Sequence, residues 1–152
     1  MLNLKIIAAG KLKELFYIDA CIEYFKRLRT MAEVSVTEIA EESGRPDGLE
    51  REGDKILSAI PKQAYVIAMC IEGTMLSSEE LARRFERAQV SGVSHIVFII
   101  GSSEGLADKV KQRADFRLSM SKMTFPHHLA RVMVLEQIYR ALSINAGSKY
   151  HK

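Results

Sequence analysis

The sequence predicts an α/β domain built on a mostly parallel sheet, and three observations predict it. Strand-like and helix-like segments alternate along the whole chain. Two of the strand segments, 64–71 (AYVIAMCI) and 95–100 (HIVFII), are almost continuous apolar runs, as suits strands covered on both faces. Loops of small and polar residues follow the later strands, at 101–105 and 121–125.

Residues 2–8 alternate and read as a first strand. Residues 12–29 place Leu15, Ile18, Ile22, Phe25 and Leu28 at helical spacing. The β-branched run 34–39 (VSVTEI) is a second strand. Gly44, Pro46 and Gly48 mark 40–48 as a mobile loop, and 49–60 reads as a short charged helix. After the strand at 64–71, Ser77-Ser78-Glu79-Glu80 supplies an N-cap and acidic first-turn residues for a helix ending near Val90. The strand at 95–100 leads through Gly101-Ser102-Ser103-Glu104-Gly105 into a short helix at 106–113. Residues 116–120 form the last strand. Pro126 suits the first turn of a long helix running to about Ser143, with Thr124 placed to cap it. That helix is apolar on nearly every side, so several of its faces must be buried, and one of them is available to a second subunit.

At 152 residues the chain is most simply one domain, 1–152, with room for a core. Its 47% hydrophobic and 27% charged content is that of an ordinary globular protein. No apolar run approaches a membrane span, and the first ten residues read as a strand rather than a signal peptide. Cys21 and Cys70 sit in apolar segments and read as reduced core residues of a cytoplasmic protein. His95, His127, His128 and His151 show no zinc spacing, so no metal is expected. The net charge of +3 is not by itself the footprint of a nucleic-acid binder. The basic clusters at 26–29, 83–87 and 149–152 read first as solvated faces.

Ligands of parallel sheets sit beyond the carboxyl ends of the strands, which singles out 72–74, 101–105 and 121–125. The Gly101–Gly105 segment is neither a dinucleotide fingerprint nor a P-loop. Glu104 is a base or, more ordinarily, a cap for the next helix. His127 and His128 are acid–base groups or packing residues. Glu136 and Arg140 form an i, i+4 pair, from which Arg131 points away. The residues alone stop at a ligand-binding α/β domain.

Several segments carry a more specific resemblance. These are 98–106 (FIIGSSEGL), 118–127 (LSMSKMTFPH), 131–141 (RVMVLEQIYRA) and the tail Tyr150-His151-Lys152, together with 4–13 and 73–82. In order and spacing they resemble the RlmH-type large-subunit rRNA methyltransferases of the SPOUT superfamily, from end to end of the chain.

The resemblance implies a homodimeric α/β-knot enzyme with a C-terminal trefoil knot. It implies transfer of a methyl group from S-adenosylmethionine to N3 of a pseudouridine in 23S rRNA, within the assembled 70S ribosome. By matched position the cofactor would meet Met69, Cys70 and Ile71; Gly101, Ser102 and Gly105; and Met120, Ser121, Lys122, Met123, Thr124, Phe125 and Pro126. The catalytic residues implied are Arg140, Tyr150, His151 and Lys152. His151 would take the N3 proton, histidine being the side-chain type that ordinarily exchanges a proton near neutral pH. Lys152 or Arg140 would stabilise the anion or grip phosphate. The chain departs from the family at Ser102, where a second glycine is usual, and at Cys70, where an aspartate is common. Two other functions fit the same fold: a non-catalytic ribosome- or RNA-binding protein, and a SPOUT methyltransferase acting on tRNA.

Overall fold

The computed structural model describes residues 1–151; Lys152 lies outside the described residues. Five strands alternate with five helices: β1 (Asn3–Ala9), α1 (Leu15–Leu28), β2 (Glu33–Ile39), α2 (Gly48–Ala59), β3 (Tyr65–Met75), α3 (Ser78–Val90), β4 (His95–Ile100), α4 (Asp108–Arg113), β5 (Phe116–Ser119) and α5 (His127–Asn145). They form one sheet in the order β2-β1-β4-β3-β5, with every strand pair parallel.

The core lies in two layers, one on each side of the sheet. On one side α1, α3 and α5 bring Cys21, Phe85, Val134 and Ile138 against Ile6, Ile96 and Phe98. On the other, Ile56 of α2 and Val110 of α4 cover Ile7, Val66, Val97 and Ile99. The expected alternation of β1 gives way to burial on both faces from Ile6 to Ala9, because β1 is an inner strand. No described helix is long and apolar enough to cross a membrane.

Boundaries shift where tertiary bonds override local pattern. α1 starts at Leu15 rather than Leu12; the Leu12 N–H lies ahead of the helix and donates to Glu38 Oε2 at 3.0 Å. β3 runs on to Met75, through the expected loop 72–74. After a four-residue irregularity at 70–73 it pairs again with β5, Thr74 opposite Leu118 and Met75 opposite Ser119. α3 begins as expected: Ser77 and Glu80 close a reciprocal capping box. Thr124 does not cap α5. Pro126 itself occupies the N-cap position, without a side-chain bond, and its carbonyl accepts from Ala130 N at 2.9 Å. Thr124 stands two residues too early, and the residue before a proline avoids helical backbone. The 40–48 segment is not a free loop. The Glu42 carboxylate takes Arg51 Nε at 2.6 Å and Lys55 Nζ at 3.4 Å, and its N–H is bonded to α2.

α5 is fastened to the sheet by a buried cation. Arg131 is 3% exposed; it donates to Glu38 Oε2 at 2.5 Å and to the Gly10 carbonyl at 3.0 Å. It thus joins α5 to the ends of β1 and β2. Burial pushes the Glu38 carboxyl up, but the Arg131 and Leu12 hydrogen bonds outweigh it and hold the group below the ordinary carboxylate range.

Arg131→Ala should therefore lower unfolding free energy by about 2–4 kcal/mol in urea denaturation, the half-exposure of Glu38 keeping it short of a fully buried pair. The Glu38 contribution has a definite sign. A depressed folded pKa stabilises above about pH 4, the unfolded carboxylate range, and the gain is lost as pH falls through the folded value. The acid-side slope of stability should be shallower in Arg131→Ala; an unchanged slope would assign it to other carboxylates.

Candidate active site

Because the sheet is parallel, β4, β3 and β5 end side by side on one edge. The register sets Ala68 beside Ile99 and Met69 beside Leu118, so Gly101, Cys70 and Ser119 leave the sheet together. Met69, Cys70, Ile71, Gly101 and Met120 are thereby brought to that edge.

After β4 the chain doubles back. Gly105 N donates to the Ser102 carbonyl at 2.9 Å. A Cβ on Gly101 would lie 2.3 Å from the Gly105 carbonyl oxygen, so only glycine fits there. Gly105 has φ +88 and open space on its flank, leaving a bare stretch of backbone at the edge. Ser102 turns the other way: it is 5% exposed, and its Oγ donates to Glu52 Oε1 of α2 at 3.0 Å. Of the turn residues expected to meet the cofactor, Ser102 offers backbone only. Glu104 is not a helix cap, since α4 starts at Asp108, with Ala107 at the N-cap position and no side-chain bond there.

The 120–126 loop belongs to no regular element. Ser119 Oγ donates to the Ser121 carbonyl at 3.1 Å, and Met123 N donates to Ser121 Oγ at 3.0 Å. Large apolar side chains lie open along the same edge: Ile71 is 68% exposed, Met75 50% and Met123 76%. S-adenosylmethionine has a flat apolar base with a polar rim and a thin charged tail. Open apolar side chains, free loop backbone and the unfilled flank of Gly105 fit it. A cleft of about 290 Å³ opens beside the loop, on the α3–α5 side, lined by Leu76, Ser77, Leu118, Ser119, Met120 and Gln137. Of the sequence-predicted cofactor residues only Met120 lines it. Cys70 packs toward α2 and α4, and burial pushes its thiol up, keeping it a thiol rather than a thiolate.

Three of the four sequence-predicted catalytic residues come together at the end of α5; the fourth, Lys152, lies outside the described residues. Arg140 donates through Nε and Nη2 to the two Glu136 oxygens, at 3.2 and 2.9 Å. The Tyr150 hydroxyl donates to Glu136 Oε1 at 2.7 Å, which pushes that hydroxyl's pKa up. His151 is held at both nitrogens, with Nδ1 3.1 Å from Arg140 Nη1 and Nε2 2.5 Å from Glu79 Oε1. A guanidinium only donates, so Nδ1 carries the lone pair and Nε2 the proton, which it donates to Glu79. Glu79, whose carboxyl is held low by its own backbone N–H and then by His151, follows Ser78 at the cleft wall. Sequence reasoning assigned Glu79 only to the first turn of α3. No spacing signal joins residues 72 positions apart in the chain.

Glu41, His127 and His128 form the one group with metal-ligand chemistry among the described residues, one ligand atom from each lying within 4.8 Å of the others. Glu41 Oε1 is 2.8 Å from His127 Nε2, and Glu14 Oε2 is 3.5 Å from His128 Nδ1. Burial, then His127, lowers the His128 pKa. Of the basic clusters, Arg27 pairs with Glu23 and Arg84 stacks 3.7 Å over Phe116, as structural residues do.

Comparison with known proteins sharpens the reading. Residues 2–151 match the family model described as "Predicted SPOUT methyltransferase". The chain is 48% identical to the ribosomal RNA large subunit methyltransferase H of Bifidobacterium animalis subsp. lactis (strain AD011), covering 99% of this chain and 100% of that protein. It is 47% identical, over the same shares, to the protein of that name from Bifidobacterium adolescentis. A solved structure of a probable methylase family protein from Haemophilus influenzae Rd KW20 superposes with a TM-score of 0.55 at 13% identity, over 99% of this chain and 70% of that one, and speaks to the fold alone. With an all-parallel sheet whose three adjacent strands end on one open edge, and with a family match over essentially its whole length, this chain belongs to the SPOUT methyltransferase family.

Proposed function

We propose that this methyltransferase transfers a methyl group from S-adenosylmethionine to N3 of a pseudouridine in 23S rRNA, with the assembled 70S ribosome as substrate. The observation that carries the mechanism is the Arg140–His151–Glu79 chain of hydrogen bonds beside the cleft. The substrate assignment rests on the relatives named as large-subunit rRNA methyltransferases. A single domain of net charge +3 holds free RNA weakly, which favours a preformed ribosomal surface over tRNA.

Bound S-adenosylmethionine supplies an electrophilic methyl carbon. The protein's residues do the rest. Met69–Ile71, the Gly101–Gly105 turn and the 120–126 loop hold the cofactor at the strand ends. The pyrimidine N3 carries a proton that must leave before or during methyl transfer. His151 accepts it at Nδ1 once Arg140 Nη1 swings from that nitrogen to a carbonyl oxygen flanking N3, where negative charge collects. Glu79 fixes the tautomer through Nε2–H and stabilises the imidazolium that forms. Glu136 keeps Arg140 and Tyr150 in place. Lys152 follows directly and would grip rRNA phosphate.

The working form in this reading is a cytoplasmic homodimer with a trefoil knot in its C-terminal third. Leu15 and Phe16 of α1, 73% and 66% exposed, suit burial against a second copy.

Calorimetric titration of the purified protein with S-adenosylmethionine should show binding. Labelled methyl should pass to one pseudouridine of unmodified 70S ribosomes. A folded protein with no cofactor affinity would hand the function to the binding-protein alternative, and transfer to tRNA instead would replace the substrate. His151→Ala should cut transfer about 100-fold or more while leaving cofactor Kd within about twofold. Full activity would remove His151 from the role of base. Glu79→Gln leaves the imidazolium that forms on His151 less stabilised. kcat should fall about tenfold while the cofactor Kd stays within about twofold; an unchanged kcat would detach Glu79 from His151.

A further inference from the structure

A buried carboxylate lies behind the cofactor turn, and no step of the mechanism uses it. Glu52 of α2 is 2% exposed. Both of its oxygens are engaged: Oε1 accepts from Ser102 Oγ at 3.0 Å, and Oε2 accepts from the backbone N–H of Glu42 at 2.8 Å. A charged group this deep is costly unless donors surround it, and here two donors from two different segments do. One belongs to the turn after β4, the other to the 40–48 segment after β2. The Ser102 hydroxyl also lies 3.4 Å from Glu104 N, inside the same turn. Ser102 and Gly105 form a bridge across the turn, so a force on the Ser102 side chain is a force on the turn's backbone.

We propose that Glu52 is a positioning residue for the cofactor turn, acting through Ser102 and tying the turn to the 40–48 segment. This rests on the reading of 101–105 as part of the S-adenosylmethionine site. It also accounts for the chain's serine where a second glycine is usual. The hydroxyl does not crowd the ligand edge, because Glu52 draws it inward. The 40–48 segment and the turn then move as one unit, the Glu42 carboxylate being anchored in turn by Arg51 and Lys55.

Substitutions at the two ends of the bond separate positioning from mere stability. Glu52→Ala leaves the turn without its anchor. Ser102→Ala breaks the same bond with the helix intact, and serves if Glu52→Ala folds poorly. Glu52→Gln should substitute well, because its Oε1 can accept from Glu42 N while its Nε2 donates to Ser102 Oγ. Two readouts are taken on the full-length protein. The first, without ligand, is amide hydrogen exchange across 101–107. It should quicken about tenfold in Glu52→Ala and Ser102→Ala and stay near wild type in Glu52→Gln. The second is the calorimetric Kd for S-adenosylmethionine, which should rise about tenfold in the first two variants and less than about threefold in the third. Combining Glu52→Ala with Ser102→Ala should be no worse than Glu52→Ala alone, since both remove one bond. Unchanged exchange in both alanine variants overturns the positioning role. A lowered melting temperature with unchanged exchange and Kd also overturns it, as an ordinary stability effect. A wild-type protein that ignores S-adenosylmethionine, yet shows the exchange pattern, overturns the cofactor reading and upholds the Glu52–Ser102 tie.

Discussion

A sheet whose strands all run the same way delivers all its chain exits to one edge, and this constraint governs the molecule. Ile6–Ala9, Val66–Ala68 and Ile96–Ile100 are buried on both faces, so no polar chemistry can sit within the inner strands. It is pushed to where the ladder stops, and there the backbone groups of the loops have no strand to pair with. The order β4-β3-β5 makes three of these exits neighbours. Helices must cover both faces, which leaves the edge as the open place for a ligand.

α5 serves both the core and the candidate site. Val134, Leu135, Ile138 and Ala141 fill the core, while Arg131 reaches the ends of β1 and β2. Glu136 and Arg140, one turn apart, present a second polar side to the tail. The helix lacks a single apolar stripe because its neighbours differ from one side to the next, with α1 and α3 flanking it.

Much of this was legible in the sequence. Apolar runs marked β3 and β4, helical spacing marked α1, and the Ser77–Glu80 pattern marked the start of α3, because each signal is local. The strand ends were legible for the same reason: Gly101 and Pro126 punctuate the chain wherever they occur. Bonds between distant segments were not. Nothing near Leu12 announces that its amide belongs to Glu38, and apolar spacing alone starts α1 too early. Nothing near Thr74 announces a second pairing with Leu118, and the apolar run alone ends β3 too soon. Ser102 was legible as a departure but not as a partner of Glu52, and Glu79 was legible as a helix-start acid but not as a partner of His151. The tail entered only through resemblance, since a Tyr-His-Lys end has no periodicity to read.

The excursion in β3 has a consequence for how this segment tolerates change. Leu118 is the register partner of Met69 before the excursion and of Thr74 after it, so the four residues Cys70–Gly73 are closed at both ends on a single position of β5. Surface loops commonly absorb insertions and deletions, because their ends do not care how much chain lies between. Here the ends do care. One residue more or fewer would carry Thr74 and Met75 off Leu118 and Ser119, or turn them to the opposite face of the sheet. This stretch of the open edge is therefore constrained in length and, at Gly73, where a Cβ would lie 2.8 Å from the Arg117 carbonyl oxygen, in composition as well; the positions before it can diversify by exchanging side chains, as Cys70 illustrates.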